Sequence, residues 1–174
     1  MKLNIGSSTG IKGQYLSKEW VNIDLVSPGD PISSNNYVLC NALNLCFKSE
    51  TFEEVRAIHC LEHIPRNQHE EFYKEMVRVL KPNGIVHIEV PNFIKICELI
   101  TDSYKKQNME QVRIWTLSVY GKNRHGGDKH YWGFSEELLR SDLEKIGLKV
   151  DFPTEMISNH WKKEPVILVR GVKI

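Results

Sequence analysis

Short apolar segments of strand type alternate with segments of helical periodicity along most of this 174-residue chain. Strand patterns cover residues 2–5, 20–25, 37–40, 55–60, 85–90, 148–152 and 166–172. Helical patterns cover residues 67–80, 93–106, 110–119 and 135–146, the last of them opening on a serine N-cap. This alternation predicts an α/β fold with a mainly parallel sheet covered by helices.

The last two strand patterns are joined by a loop that shows no helical periodicity. A parallel neighbour would need a long crossover, usually a helix, so these two strands should form an antiparallel hairpin. We therefore expect one antiparallel strand at or near an edge of the sheet. The length fits a single domain over residues 1–174, because domains commonly contain ~100 to 200 residues.

Charge and cysteine content narrow the class of protein. The 23 basic and 22 acidic residues give a formal net charge of +1, so nucleic acid is not indicated as a partner. Cys40, Cys46, Cys60 and Cys97 show no C-x-x-C spacing, which predicts reduced thiols and a cytoplasmic location. No apolar stretch approaches the ~18 residues that a membrane span needs.

The first turn and the second strand carry a nucleotide-binding pattern. The turn Gly-Ser-Ser-Thr-Gly at residues 6–10 follows the first strand, and its small residues allow a ligand to approach the backbone closely. Asp24 ends the second strand, where a carboxylate can accept hydrogen bonds from both ribose hydroxyls. An ordinary glycine turn and a solvated aspartate would look the same, so both interpretations stay open on these residues alone.

Four later motifs follow in order. They are NALNL at 41–45, HCLEHIP at 59–65, RVLKPNG at 78–84 and VPN at 90–92, and WGFS at 132–135 precedes the last helix. With these motifs the chain resembles the class I S-adenosylmethionine-dependent methyltransferases, in particular the small "type 11" subgroup, over nearly its whole length. The resemblance implies a doubly wound, Rossmann-like sheet of seven strands in the order 3-2-1-4-5-7-6, with S-adenosylmethionine as cofactor.

The resemblance also implies which residues hold the cofactor. Gly6, Ser7, Ser8 and Gly10 would face its methionyl part, Asp24 its ribose and Leu25 its adenine, with Asn41, Ala42 and Leu43 near the adenine and His59, Cys60 and Leu61 beneath the sulfonium. Two positions depart from the family, which commonly has Gly at Ser8 and often an acid at Asn4. Serine and asparagine can still make hydrogen bonds at those places.

Catalytic residues are harder to identify, because methyl transfer needs mainly an in-line nucleophile, with a base only for some acceptors. Glu62 and His63 follow the fourth strand, and His130 lies in an insertion over residues 92–134 that we expect to cover the acceptor. His130 is the best single candidate for a general base. His125, Asp128 and His130 could ligate a metal, but loop histidines are more often solvated, and no metal is expected.

The sequence therefore predicts a methyltransferase that acts on an oxygen or nitrogen of a small-molecule or glycan-like acceptor, as a monomer or homodimer. The alternative is a non-catalytic protein that binds S-adenosylmethionine, such as a regulatory subunit of a methyltransferase complex. A nicotinamide-dependent oxidoreductase would share the glycine turn and the acid. It fits poorly, because the chain lacks a second mononucleotide-binding half and the Leu-Glu-His segment would have no role.

Overall fold

The computed structural model describes residues 1–7, 19–25, 36–122, 127–154 and 164–174. Its strands are β1 (Lys2–Ile5), β2 (Val21–Asp24), β3 (Tyr37–Leu39), β4 (Phe52–Ile58), β5 (Leu80–Pro91), β6 (Leu148–Asp151) and β7 (Val166–Lys173). Its helices are α1 (His69–Val79), α2 (Phe93–Lys105), α3 (Met109–Tyr120) and α4 (Glu136–Glu144), with short 3₁₀ helices at Leu61–His63 and Arg66–Gln68. Within the described ranges, every helix is too short or too polar to span a lipid bilayer.

The strands form one sheet in the order β3-β2-β1-β4-β5-β7-β6. Strands β1 to β5 pair in parallel, and β7 runs antiparallel to both β5 and β6. The predicted Rossmann-like order and the antiparallel hairpin are both confirmed. Because the order reverses between β1 and β4, the carboxyl ends of these two strands flank the point where open α/β sheets bind ligands.

The hydrophobic core lies against the middle of the sheet. Leu3, Ile5, Ile23, Val55, Ala57, Val86 and Ile88 are buried in the strands, while Phe72, Met76, Leu139 and Leu143 are buried in helices α1 and α4. Such nearly continuous apolar strands are typical of a sheet buried on both faces. The core therefore forms a rigid base that holds the carboxyl ends of the strands in fixed positions.

Strand β5 begins earlier than its sequence indicates. Residues 81–84 carry a proline and a glycine that predict the end of a helix running to residue 80, yet Leu80 already lies in β5 and pairs with Phe52. A register shift follows, and regular pairing starts at Ile85 opposite Glu54. Asn83 adopts φ 61°, a left-handed conformation that asparagine tolerates and that suits an irregularity of this kind.

Asn4 joins neighbouring strands through buried hydrogen bonds. Its Nδ2 donates to Asn22 Oδ1 at 2.9 Å, and Arg56 Nε donates to Asn4 Oδ1 at 2.9 Å. The Arg56 guanidinium also lies 4.3 Å from the ring centroid of Trp20. An amide donates and accepts at once, whereas a carboxylate could not donate to Asn22. The departure from the family's acid is thus accommodated by the neighbouring side chains.

Candidate active site

The predicted cofactor residues follow four adjacent parallel strands, so they lie along one edge of the sheet. Backbone hydrogen bonds tie the strand ends together: Ser7 N donates to Ile23 O at 3.0 Å, and Cys40 N donates to Asp24 O at 3.0 Å. The turn after β1, the end of β2 and the loop after β3 are therefore held side by side. Ser8 and Gly10 lie outside the described residues.

Gly6 occupies a position that only glycine fits. Its φ of +67° is left-handed, and a Cβ added there would lie 2.6 Å from Cys60 Sγ and 2.8 Å from Cys60 Cβ. The turn thus packs directly on the segment that follows β4, with the close backbone approach that a cofactor-binding turn requires. The buried Ser7 hydroxyl donates to Ile23 O at 3.3 Å, so its side chain is engaged within the sheet edge.

Asp24 is half-buried at the end of β2, and the adjacent Leu25 is 70% exposed. Tyr37 lies beside them. Burial and the charge of Asp24 raise the pKa of Tyr37 to about 12, although a hydrogen bond to Ser7 opposes this. A carboxylate next to an exposed apolar side chain suits a ribose and its attached base. Sequence reasoning missed Tyr37, because an aromatic residue opening a short strand is usually core.

The loop after β3 contains the predicted adenine contacts. Asn41 is exposed, and its Oδ1 accepts a hydrogen bond from Leu43 N at 2.9 Å, which closes a tight turn. Ala42 and Leu43 are half-buried against the core cluster. The turn leaves the rest of the Asn41 amide at the surface beside the end of β3, where the resemblance places the adenine.

Arg78 explains part of the RVLKPNG motif. Its guanidinium donates to Phe47 O at 2.8 Å and to Leu45 O at 2.9 Å, and it pairs with Glu75, which itself accepts from Leu45 N at 2.6 Å. Helix α1 therefore anchors the loop after β3 through backbone carbonyls that would otherwise lack donors. Arg78 thus positions the loop that contains the predicted adenine contacts.

His59 forms a buried charged cluster at the end of β4. Its φ of 48° bends the chain into the 3₁₀ helix, and its side chain, 8% exposed, contacts Glu62 at 3.2 Å and Glu89 at 3.3 Å. Burial acts to lower the pKa of His59, but the hydrogen bond from Nδ1 to Glu62, the close contact of Nε2 with Glu89 and the charges of both carboxylates raise that pKa overall. Burial acts to raise the pKa of Glu62, whereas the hydrogen bond and charge of His59 lower it overall. The raised pKa favours the protonated imidazolium form of His59, which contacts both carboxylates.

Cys60 and Leu61 connect the two sides of the site. Leu61 is fully buried, and Cys60 packs on Gly6. Burial raises the pKa of the Cys60 thiol, with further contributions from the charges of Glu62 and Asp24. The thiol thus lies between the turn of β1 and the charged cluster, close to where the resemblance places the sulfonium.

The three predicted catalytic side chains meet. One potential ligand atom from each of Glu62, His63 and His130 lies within 4.8 Å of the others, and the two histidine rings are in edge contact with centroids 4.8 Å apart. Burial lowers the pKa of His130 overall, although the charge of Glu62 acts to raise it. The insertion also bonds to the 3₁₀ helix directly, since Tyr131 N donates to Glu62 O at 2.8 Å.

The two ends of the insertion also meet. Asn92 and Phe134 form a parallel bridge, and Phe93 N donates to Phe134 O at 3.1 Å. Between these ends the chain forms α2, α3 and the loop that carries His130. The insertion is thus closed at its base and returns to the carboxyl edge of the sheet; His125 lies outside the described residues.

Comparison with known proteins agrees with this geometry. The family model described as a methyltransferase domain matches residues 3–88, which include the turn, Asp24 and the Leu-Glu-His segment. The chain belongs to the class I S-adenosylmethionine-dependent methyltransferases. The cofactor of this methyltransferase is S-adenosylmethionine. Gly6, whose site has no space for a Cβ beside Cys60, fits the close contact that this cofactor needs.

Solved structures show the same fold over the whole chain. A methyltransferase from Methanosarcina mazei is 18% identical with a TM-score of 0.68, covering 99% of this chain and 92% of its own. A possible histamine N-methyltransferase from Thermotoga maritima is 18% identical with a TM-score of 0.61, covering 99% and 82%. The 1,6-didemethyltoxoflavin-N1-methyltransferase of Burkholderia thailandensis, solved with its acceptor and S-adenosylhomocysteine, is 15% identical with a TM-score of 0.64, covering 99% and 70%. No curated protein sequence matches the chain.

Proposed function

We propose that this methyltransferase moves a methyl group to an oxygen or nitrogen of a small-molecule or glycan-like acceptor. The convergence of Glu62, His63 and His130 carries the proposal. These groups lie beyond β4, and Cys60 separates them from the turn at Gly6. A methyl donor held at the turn therefore faces polar side chains that can orient an acceptor and take up its proton.

The insertion over residues 92–134 supplies the other side of the acceptor pocket in this proposal. Bound S-adenosylmethionine provides an already activated methyl group, so the protein's contribution is to position the acceptor in line and to exclude water. His130 is the residue to which we assign proton uptake, with Glu62 and His63 orienting the acceptor. The exposed aromatic rings of Tyr131 and Trp132 are available to stack on it.

Two further observations support parts of this proposal. The Burkholderia thailandensis relative acts on a nitrogen of a small molecule, although another structural neighbour is a carbon methyltransferase. All four cysteines are free thiols, which fits the cytoplasmic location that we propose. We propose a monomer or homodimer as the assembly.

Asp24→Ala tests the cofactor site. Loss of hydrogen bonds to a charged group removes ~1.5–3 kcal/mol, so the affinity for S-adenosylhomocysteine should fall ~10- to 100-fold in titration calorimetry. Asp151→Ala, at the end of the distant strand β6, where the exposed Asp151 pairs with the exposed Arg170, should bind like the parent. An unchanged affinity of Asp24→Ala for S-adenosylhomocysteine would contradict the assignment of Asp24 to the cofactor site.

The acceptor class is tested by methyl release. The full chain with labelled cofactor is given a panel of hydroxyl and amine metabolites, glycans and carbon nucleophiles. It should methylate members of the hydroxyl, amine or glycan groups, and His130→Ala should lower this turnover without changing the affinity for S-adenosylhomocysteine. Tight binding of S-adenosylhomocysteine without turnover on any acceptor would favour the alternative, a regulatory or non-catalytic subunit. Turnover confined to carbon nucleophiles would contradict the proposed acceptor class.

A further inference from the structure

The cluster of Glu62, His63 and His130 has the composition of a metal site. Glu62 and His63 are consecutive in the 3₁₀ helix, while His130 comes from the far end of the insertion. A nitrogen or oxygen from each lies within 4.8 Å of the others. Two imidazoles and one carboxylate form a ligand set that divalent transition metals accept in proteins.

The hydrogen bonds of both histidines leave one ring nitrogen available. His63 Nδ1 lies 3.0 Å from Lys129 O, and His130 Nδ1 lies 2.9 Å from Ser118 O. A carbonyl oxygen can only accept, so each Nδ1 carries the proton, and in the neutral ring Nε2 keeps its lone pair. Metal-binding histidines typically show this arrangement, with a backbone carbonyl fixing the ring and its tautomer.

Glu62 contributes a buried oxygen that lacks a donor. The residue is 1% exposed, and its Oε1 is bonded to His59. Among the residues that the structure describes, Oε2 has no hydrogen-bond partner. An unsatisfied carboxylate oxygen in the interior is unfavourable, and a cation relieves this more effectively than a neutral ligand does.

We propose that Glu62, His63 and His130 bind one divalent transition-metal ion, with Zn²⁺ the best match to this ligand set. Zn–N distances of ~2.0–2.1 Å place tetrahedral ligands ~3.4 Å apart, so the three side chains must draw together by at most ~1.5 Å. His63 and His130 are only half-buried, which gives their rings room to adjust and the ion a way in. Three protein ligands leave a coordination position open.

This inference deepens the proposed function and rests on it. An open position beside the cofactor edge would hold the oxygen or nitrogen of the acceptor, because a metal ion binds such atoms and lowers the pKa of a coordinated hydroxyl. With Nδ1 protonated and Nε2 on the ion, His130 has no lone pair for a further proton. In the metal-bound protein His130 would therefore act as a ligand instead of as the base, and the coordinated acceptor would lose its proton to solvent. The acceptor would then be a molecule with a hydroxyl, amine or carboxylate that can ligate the ion. The sequence alone led us to expect no metal, since it does not reveal that Glu62 and His63 lie against His130.

The experiment uses the full chain freed of metal with a chelator. Calorimetric titration with ZnCl₂ should show one ion per chain, and CoCl₂ should give the visible absorption of Co²⁺ bound by nitrogen ligands. His63→Ala and His130→Ala should each weaken Zn²⁺ binding at least ~100-fold, because loss of a group that only hydrogen-bonds to a ligand already weakens metal sites ~10- to 100-fold. Glu62→Gln should weaken it as well.

Control variants separate this site from others. His87→Ala removes a histidine that pairs with Glu54 on the sheet and should bind Zn²⁺ like the parent. His125→Ala and Asp128→Ala test the loop ligands that the sequence also offered, and both should bind like the parent. If Glu62→Gln fails to fold, the visible absorption of Co²⁺ added to His63→Ala and to His130→Ala still tests whether the two histidines ligate the ion.

Three results would overturn the proposal. They are the absence of stoichiometric binding, parent-like binding in both histidine variants, and loss of binding in His125→Ala or Asp128→Ala but not in Glu62→Gln. Titration of the metal-free chain with S-adenosylhomocysteine distinguishes failure of the metal proposal from failure of the proposed function. If the chelated chain binds S-adenosylhomocysteine but no metal, the methyltransferase proposal stands without the metal.

Discussion

Gly6→Ala should abolish detectable cofactor binding, lowering the affinity for S-adenosylhomocysteine at least ~100-fold (~2.7 kcal/mol) in titration calorimetry. The new Cβ would meet Cys60 Sγ at 2.6 Å and Cys60 Cβ at 2.8 Å, and the left-handed φ of +67° disfavours alanine as well. Relieving the overlap must move the turn or the segment after β4, the two segments that we propose as cofactor contacts. Strain and overpacking together should lower the free energy of unfolding by ~2–5 kcal/mol.

Gly147→Ala is the matched control for this variant. Gly147 has a similar left-handed φ of +85°, but nothing lies within 4 Å of an added Cβ. Gly147→Ala should lower the free energy of unfolding by only ~1–2 kcal/mol, the cost of placing alanine in a left-handed conformation. Its affinity for S-adenosylhomocysteine should not change. Adding Cys60→Gly to Gly6→Ala removes both atoms that the methyl would strike and should restore part of the binding. Binding of Gly6→Ala within about threefold of the parent would show that the turn does not contact the cofactor.

The alternating strand and helix patterns predict a mainly parallel sheet, and the family resemblance carried by the quoted motifs implies the order of its strands, which the structure confirms. The sequence predicts the ends of the strands less well. The pattern starts the fourth strand at residue 55, whereas β4 begins at Phe52, which pairs with Leu80 at the start of β5. Residues 81–84 predict the end of the preceding helix by local chemistry, but Leu80 already pairs with Phe52 across the sheet, a contact that no local pattern contains, so β5 begins before them.

For the candidate site, too, the sequence predicts some features well and others poorly. Glu62, His63 and His130 are each visible in the sequence as ionisable groups near a strand end or in a loop, but their meeting depends on the path of the insertion. Glu89 stands out only as a single acid in an apolar strand. Its role becomes evident when the sheet register pairs it with Ile58, the residue before His59. Contacts between distant segments thus define the charged cluster, and sequence separation hides them.

His59→Ala tests that charged cluster and should lower the free energy of unfolding by ~3–5 kcal/mol in denaturant titrations at neutral pH. Glu62 and Glu89, 1% and 0% exposed, would keep their carboxylates in the interior without the imidazolium that contacts both. His87→Ala is the control, since His87 is more exposed and pairs with the accessible Glu54. It should lower the free energy of unfolding by only ~1 kcal/mol.

A double-mutant cycle shows whether the loss comes from the pairing itself. Because Glu62 is unfavourable once its partner is gone, Glu62→Ala should be much less destabilising in the His59→Ala background than in the parent, with a coupling energy of ~2 kcal/mol. All variants are measured with chelator present, so that a bound metal contributes to none of them. Additive losses would mean that His59 stabilises the strand end by packing alone. Coupling of the expected size would show that the pairing with His59 is what stabilises the buried Glu62 carboxylate next to His63 and His130.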